Sequence, residues 1–136
     1  MSRWLKILAI FSVFFIVAAC SGGNTPEATA KAFIEKSYAG DAEGVLALMH
    51  MPEGDKPGEK EMAEGKIKAM VAESKDTAQK KGGVKKVTVE TAEVNKNDPN
   101  HAKASVHIQF KEGEENDTVH LIKIDGKWKV RLTAGW

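Results

Sequence analysis

The sequence predicts an α+β domain in which three helices are followed by a four-stranded antiparallel meander. Three observations carry that expectation. Up to about Lys80 the apolar residues recur at helical spacing. After Gly82-Gly83 they alternate with polar residues, the period of a strand with one buried face. The turn residues of this second half, Asn95 to Asn100, Lys111 to Glu115 and Asp125-Gly126, are spaced to fold each strand back on the one before it.

The elements follow in order. Thr25 can cap a helix, Pro26 suits its first position and Glu27 complements the dipole. Ala30, Phe33, Ile34 and Tyr38 then share one face, and Ala39-Gly40 stops the helix. Asp41 caps a second helix with Val45, Leu46, Leu48 and Met49 as its apolar side. A polar loop from Pro52 to Gly58 leads to a third helix over about Glu59 to Lys80, with the stripe Ala63, Ile67, Met70, Val71, Ser74 and Ala78. Strands are expected over Val84 to Val94, His101 to Lys111, Asn116 to Ile124 and Lys127 to Thr133. Centring each hairpin on its turn gives one row of Val89, Val106, Leu121 and Val130, and a second of Val87, Ile108, Val119 and Leu132. A third row holds Thr91, Ala104, Lys123 and Trp128, with the Lys123 stem along the indole. The helices must cover this apolar face, since neither layer can bury its own alone.

Upstream lies a different kind of segment. Arg3 and Lys6 precede an uncharged apolar run, and two small residues precede Cys20. That order marks a secretory leader, and the run is shorter than the about 20 residues that a bilayer core requires. Val17-Ala18-Ala19-Cys20 resembles the bacterial lipobox, which implies a thioether-linked diacylglyceryl group on Cys20 and cleavage before it. The expected organisation is a signal peptide at 1–19, a lipidated tether at 20–24 and a domain at 25–136. Several acyl chains on one residue hold a bilayer where a single chain does not. Ser21, rather than Asp, after the cysteine resembles the pattern sorted to the outer membrane, facing the periplasm, if the cell has two membranes.

Composition narrows the function classes. The leader holds two of the 20 Lys and Arg residues and none of the 19 Asp and Glu, so the remainder carries 18 against 19 and a net charge of −1. That balance speaks against a nucleic-acid partner. Cys20 is the only cysteine, so a core rather than a disulfide must hold the domain.

The candidates for chemistry are sparse. The expected register sets His107 opposite His120 on the outer face, with Arg131 beyond, a weak metal candidate that lacks a third ligand. Met49-His50-Met51 is a weak candidate for Cu(I), although Met49 and Met70 are wanted in the helical stripes. Ile122 and Ile124 face outward near Thr88 and Ser105, a candidate surface for a homodimer. Gly-rich phosphate loops, G-x-S-x-G and H-E-x-x-H are missing.

Thr25-Pro26-Glu27 with Phe33-Ile34, Ala39-Gly40-Asp41-Ala42, and the hairpin Asp125-Gly126-Lys127-Trp128-Lys129-Val130 resemble the nuclear-transport-factor-2-like, or cystatin-like, superfamily. The likeness is to its branch of small bacterial lipoproteins labelled lumazine-binding-like. It implies a curved sheet and a cone-shaped domain, with Phe33, Tyr38, Trp128 and Trp136 either lining a ligand pocket or filling it. It implies no reaction. The enzymes of the superfamily place Asp, His or Tyr inside the cone, and the expected inner face has no such set. The reading is a non-enzymatic, lipid-anchored binding or scaffold module of the cell envelope, with no cofactor and with an unknown partner or small hydrophobic ligand. The alternatives are a small enzyme of the same fold acting on a hydrophobic molecule, and metal handling through the His and Met residues.

Overall fold

The computed structural model describes residues 25–51 and 56–131. Helices α1 (Pro26–Ala39), α2 (Ala42–Leu48) and α3 (Glu59–Lys80) precede strands β1 (Val84–Val94), β2 (His101–Phe110), β3 (Glu114–Ile124) and β4 (Lys127–Val130). The strands form one antiparallel sheet in the order β1-β2-β3-β4.

Local chemistry sets the helix ends. The Thr25 hydroxyl accepts from the Ala28 N–H at 3.1 Å, with Pro26 just inside the helix. Gly40 ends α1 at φ 80°, a left-handed conformation that costs glycine little, and the Asp41 N–H closes back on the Lys36 carbonyl at 3.0 Å. Asp41 then caps α2 by accepting from the Gly44 N–H at 2.9 Å. Gly40-Asp41 thus ends one helix and starts the next without a spare residue.

Helix α1 organises the interior. It packs against α2, α3 and all four strands. Its buried residues Ala30 and Ile34 meet Ile67, Val71 and Ala78 of α3 and Val45 of α2 over the inner face of the sheet. Strand β2 shows the period-two pattern plainly: Ala102, Ala104, Val106, Ile108 and Phe110 are buried, and every residue between them is half-buried on the outer face. Met70 departs from its expected place in the α3 core stripe. It is 38% exposed, because Ile67 and Val71 occupy the facing positions one turn apart.

The register agrees with expectation at both flanks and differs in the middle. Val87 pairs with Ile108 and Val89 with Val106, while Leu121 pairs with Val130 and Lys123 with Trp128. Between β2 and β3, however, Val106 lies opposite Asp117 rather than Leu121, and Leu121 lies opposite Ala102. The cause is the turn. The chain reverses tightly over Lys111-Glu112, with the Phe110 N–H on the Gly113 carbonyl at 2.9 Å and Gly113 at φ 110°. Strand β2 therefore stops at Phe110, and β3 starts at Glu114 rather than Asn116. The slip is four residues, an even number, so every side chain keeps its face although its partner changes. Ala104 also pairs with Ala92, not Thr91, because β1 carries an extra residue between Val89 and Thr91, and it carries another between Val84 and Lys86. Asp125 and Gly126 turn with φ 51° and 78°, as the hairpin requires. Leu132, placed in the second row, lies outside the described residues.

Candidate functional site

Two acidic residues occupy inner-face positions at the start of β3, and the slip sets which residues they meet. Glu115 lies opposite Ile108 and Asp117 opposite Val106. Glu115 faces the last turn of α1 and the end of α3. Its Oε1 accepts from Lys81 Nζ at 2.5 Å, and its Oε2 accepts from the Tyr38 hydroxyl at 3.1 Å. Below them is Phe110, which Tyr38 meets edge-on at 5.3 Å and 83°, with Lys81 Nζ 4.9 Å from the ring centroid.

The electrostatics follow from these contacts. The hydrogen bond from Lys81 holds the Glu115 carboxyl below its ordinary range, helped by the bond from Tyr38 and opposed by partial burial. Burial, then the bond to Glu115, then the charges of Glu115 and Asp117 push the Tyr38 phenol well above its ordinary value. Tyr38 is therefore a proton donor held neutral, and Glu115 is an anion with both oxygens engaged. Together they form a clip rather than a poised acid–base pair. Phe110 and Glu115 were not singled out in the sequence. The available signal was parity, since Glu115 shares a face with Val119 and Leu121 on β3.

Beside the clip a groove of about 440 Å³ runs between the end of α1, the last two turns of α3 and the start of β1. Tyr38 and Ala39 line it from α1, Lys75 and Ala78 from α3, and Val84 to Val87 from β1. Gly40 forms part of the setting: a Cβ there would come within 2.5 Å of the Lys75 Cδ, so the lysine stem lies directly over the glycine.

The four aromatic residues taken as pocket candidates do not converge among the described residues. Tyr38 lines the groove. Trp128 is buried near the other end of α1, where Lys123 Nζ lies 5.8 Å from its ring and the Thr29 hydroxyl donates to its carbonyl at 3.5 Å. Nine residues of helix, about 13 Å, separate Thr29 from Tyr38. Phe33 lies between them, half-buried against the core. Trp136 and Cys20 lie outside the described residues.

The histidine pair is not formed. His107 pairs with Asn116, whose Oδ1 is 2.9 Å from its Nδ1, while His120 pairs with Lys103. The four-residue slip separates the two rings along the strands. Arg131 does lie beside His120, its N–H donating to the His120 carbonyl at 2.7 Å. Burial first, then the Arg131 and Lys103 charges, hold the His120 imidazole below its usual value. Met49 is buried and bridges to Val130, Met51 packs against the core, and the intervening His50 is half-buried. Among the described residues no three His, Cys, Asp or Glu side chains gather as a metal cluster. Ile122 lies between His101 and Lys129 on the outer face, not near Thr88 and Ser105.

A family model for a domain of unknown function, DUF4878, matches residues 19–131. A crystal structure from Campylobacter jejuni, described as an NTF2-like transpeptidase, superposes with a TM-score of 0.73 at 34% identity, covering 80% of this chain and 99% of that one. No curated protein matches the chain.

Proposed function

The chain belongs to the DUF4878 family and has an NTF2-like fold, and from that premise we propose that it is a lipid-anchored envelope protein that binds a small, partly apolar molecule rather than transforming one. In this reading residues 1–19 are a cleaved leader, Cys20 carries the lipid, and residues 21–24 tether the domain to the membrane, the outer one facing the periplasm where the cell has two. The observation that carries the binding role is the groove of about 440 Å³ between α1, α3 and β1, a size in the range of small-molecule sites. Val17 to Cys20 supports the anchor.

The Campylobacter jejuni protein's description names a transpeptidase, a reaction that calls for an activated nucleophile. The described residues favour binding instead. The Ser37 hydroxyl donates to the Phe33 carbonyl at 2.7 Å, and Tyr38 and Glu115 engage each other. The outer sheet face, with Ile122 and Ile124 half-buried on it, is the proposed surface for a homodimer.

The test has two arms. Labelled palmitate should enter the wild-type chain and not Cys20→Ala, which should also leave the membrane fraction or stall as precursor; label on the variant overturns the anchor. The chain purified from envelopes should release a small molecule at near one equivalent in denaturing mass spectrometry. An empty chain that also fails to take up an apolar fluorescent dye overturns the binding role.

A further inference from the structure

We propose that the groove between α1, α3 and β1 is a site for a single-chain anionic amphiphile, its head group on Lys75, Lys85 and Lys86 and its tail on Ala78, Val84 and Val87. This deepens the binding reading and rests on it.

The charge balance of the groove comes first. Three lysines line it against one acid, Glu35. Downstream of the leader the chain is nearly neutral, with 18 basic against 19 acidic residues, so this is a local concentration of positive charge. Its floor is apolar. Ala78 and Val87 are almost fully buried, and Val84 is 37% exposed, one of the few large apolar residues left uncovered among those described.

The second observation is the backbone that creates this lining. In a regular strand Lys85 and Lys86 would face opposite sides of the sheet. Here Val84, Lys85, Lys86 and Val87 all line one groove. The register keeps Lys86 opposite the outer-face Gln109 and Val87 opposite the inner Ile108, so the groove takes in the rim of this edge strand from both faces, and the extra residue at Lys85 sets a second lysine beside Lys86 there. Across the groove the Lys75 stem lies on Gly40, where φ is 80° and any side chain would collide with it. Lysine stems can add to an apolar wall while their ammonium groups stay in water. Tyr38 contributes its ring, because its hydroxyl is committed to Glu115. Such a site holds an anion at its rim and a short hydrocarbon below, and a neutral molecule of the same shape would lose the rim contacts.

The full chain, purified from envelopes into phospholipid nanodiscs, is titrated calorimetrically with octanoate, octyl phosphate, octyl glucoside and inorganic phosphate, with empty nanodiscs subtracted. Octanoate or octyl phosphate should bind, and whichever is tighter tells a carboxylate from a phosphate head group. The triple variant Lys75→Gln/Lys85→Gln/Lys86→Gln should bind that probe at least about tenfold more weakly, the scale of losing one charge-assisted hydrogen bond. The matching triple arginine variant should restore binding, and added salt should weaken it. Circular dichroism of both variants controls for folding. Equal affinity for octyl glucoside and the anions, equal affinity for inorganic phosphate and octyl phosphate, or a glutamine variant that binds like wild type each overturns the inference and leaves the binding reading in place. So does a short acidic peptide that binds where the amphiphiles do not. No heat from any of these ligands sinks both.

Discussion

The two ends of α1 meet the sheet in different ways. At the start, near Thr29, the join is apolar and backbone-based: Trp128 is buried, Met49 bridges to Val130, and the His50 N–H donates to the Val130 carbonyl at 2.9 Å. At the finish, near Tyr38, the join is a hydroxyl, a carboxylate and an ammonium over the Phe110 ring, with the Lys81 and Glu115 side chains 30% and 38% exposed. The first end is stabilised by removing surface from water, which is insensitive to pH. The second is held by groups that titrate, and it borders the groove. Stability is concentrated at one end of the helix, and adjustable chemistry at the other.

The harshest way to break the comparison is to destroy what both ends share. Val106 is fully buried on the central strand and faces Asp117. Val106→Asp buries an unpaired carboxylate across from the exposed carboxylate of Asp117, and the cooperative thermal transition is expected to disappear, since an uncompensated buried charge costs about 3–5 kcal/mol, a large part of a small domain's total stability. Next comes the apolar end. Trp128→Ala should cost about 3–5 kcal/mol in urea unfolding, with the same loss at pH 5 and pH 8.

The polar end should respond more gently and with pH. Tyr38→Phe keeps the edge-on ring and loses the bond to Glu115, at about 1 kcal/mol for a partly exposed site. The sign of its pH dependence follows from the two shifts. Glu115 has its folded pKa lowered, so its contribution is present above the unfolded value and fades as pH falls through the folded one. Tyr38 has its folded pKa raised, so its contribution is complete below the ordinary value of 10.0 and fades as pH climbs beyond it. Stability of the wild type should therefore fall between about pH 10 and 11 more steeply than that of Tyr38→Phe. Tyr38 is the only tyrosine, so phenolate absorbance reads it alone. Its midpoint should lie above 10.0 and move back toward that value in Glu115→Gln.

The smallest effect sharpens the register. His107 is on the outer face beside Asn116. His107→Asp should change stability by less than about 0.5 kcal/mol, and damage equal to that of Val106→Asp would mean the faces are exchanged.

Much of this fold was legible from the residues. Thr25, Asp41, Gly40 and Asp125-Gly126 announce their caps and turns through backbone chemistry alone, and the alternation on β2 identifies the inner face. What the pattern left open was which inner residue meets which. Glu115 and Asp117 are the inward residues at the start of β3, and neither is apolar, so hydrophobic matching does not penalise a four-residue slip there. Gly113 drew the turn toward itself, whereas the reversal sits on Lys111-Glu112 and Gly113 follows with positive φ. The Tyr38–Glu115–Lys81 clip depends on that register, and for that reason it was not visible beforehand. The same holds for the groove, whose two neighbouring lysines stand together on its rim only because of a bulge.

Those irregularities on β1 have a further effect, unrelated to ligands. β1 is an outer strand of eleven residues with one row of amide and carbonyl groups unmatched by any neighbour in the sheet. Inserted residues near its start and its middle break that row into short pieces and sharpen the twist, and two lysines and two glutamates are interspersed along it. A second copy arriving flank to flank meets a warped, charged rim rather than a straight template. Molecules concentrated side by side on a surface can then remain separate, and crowding does not turn one sheet into a continuous ribbon.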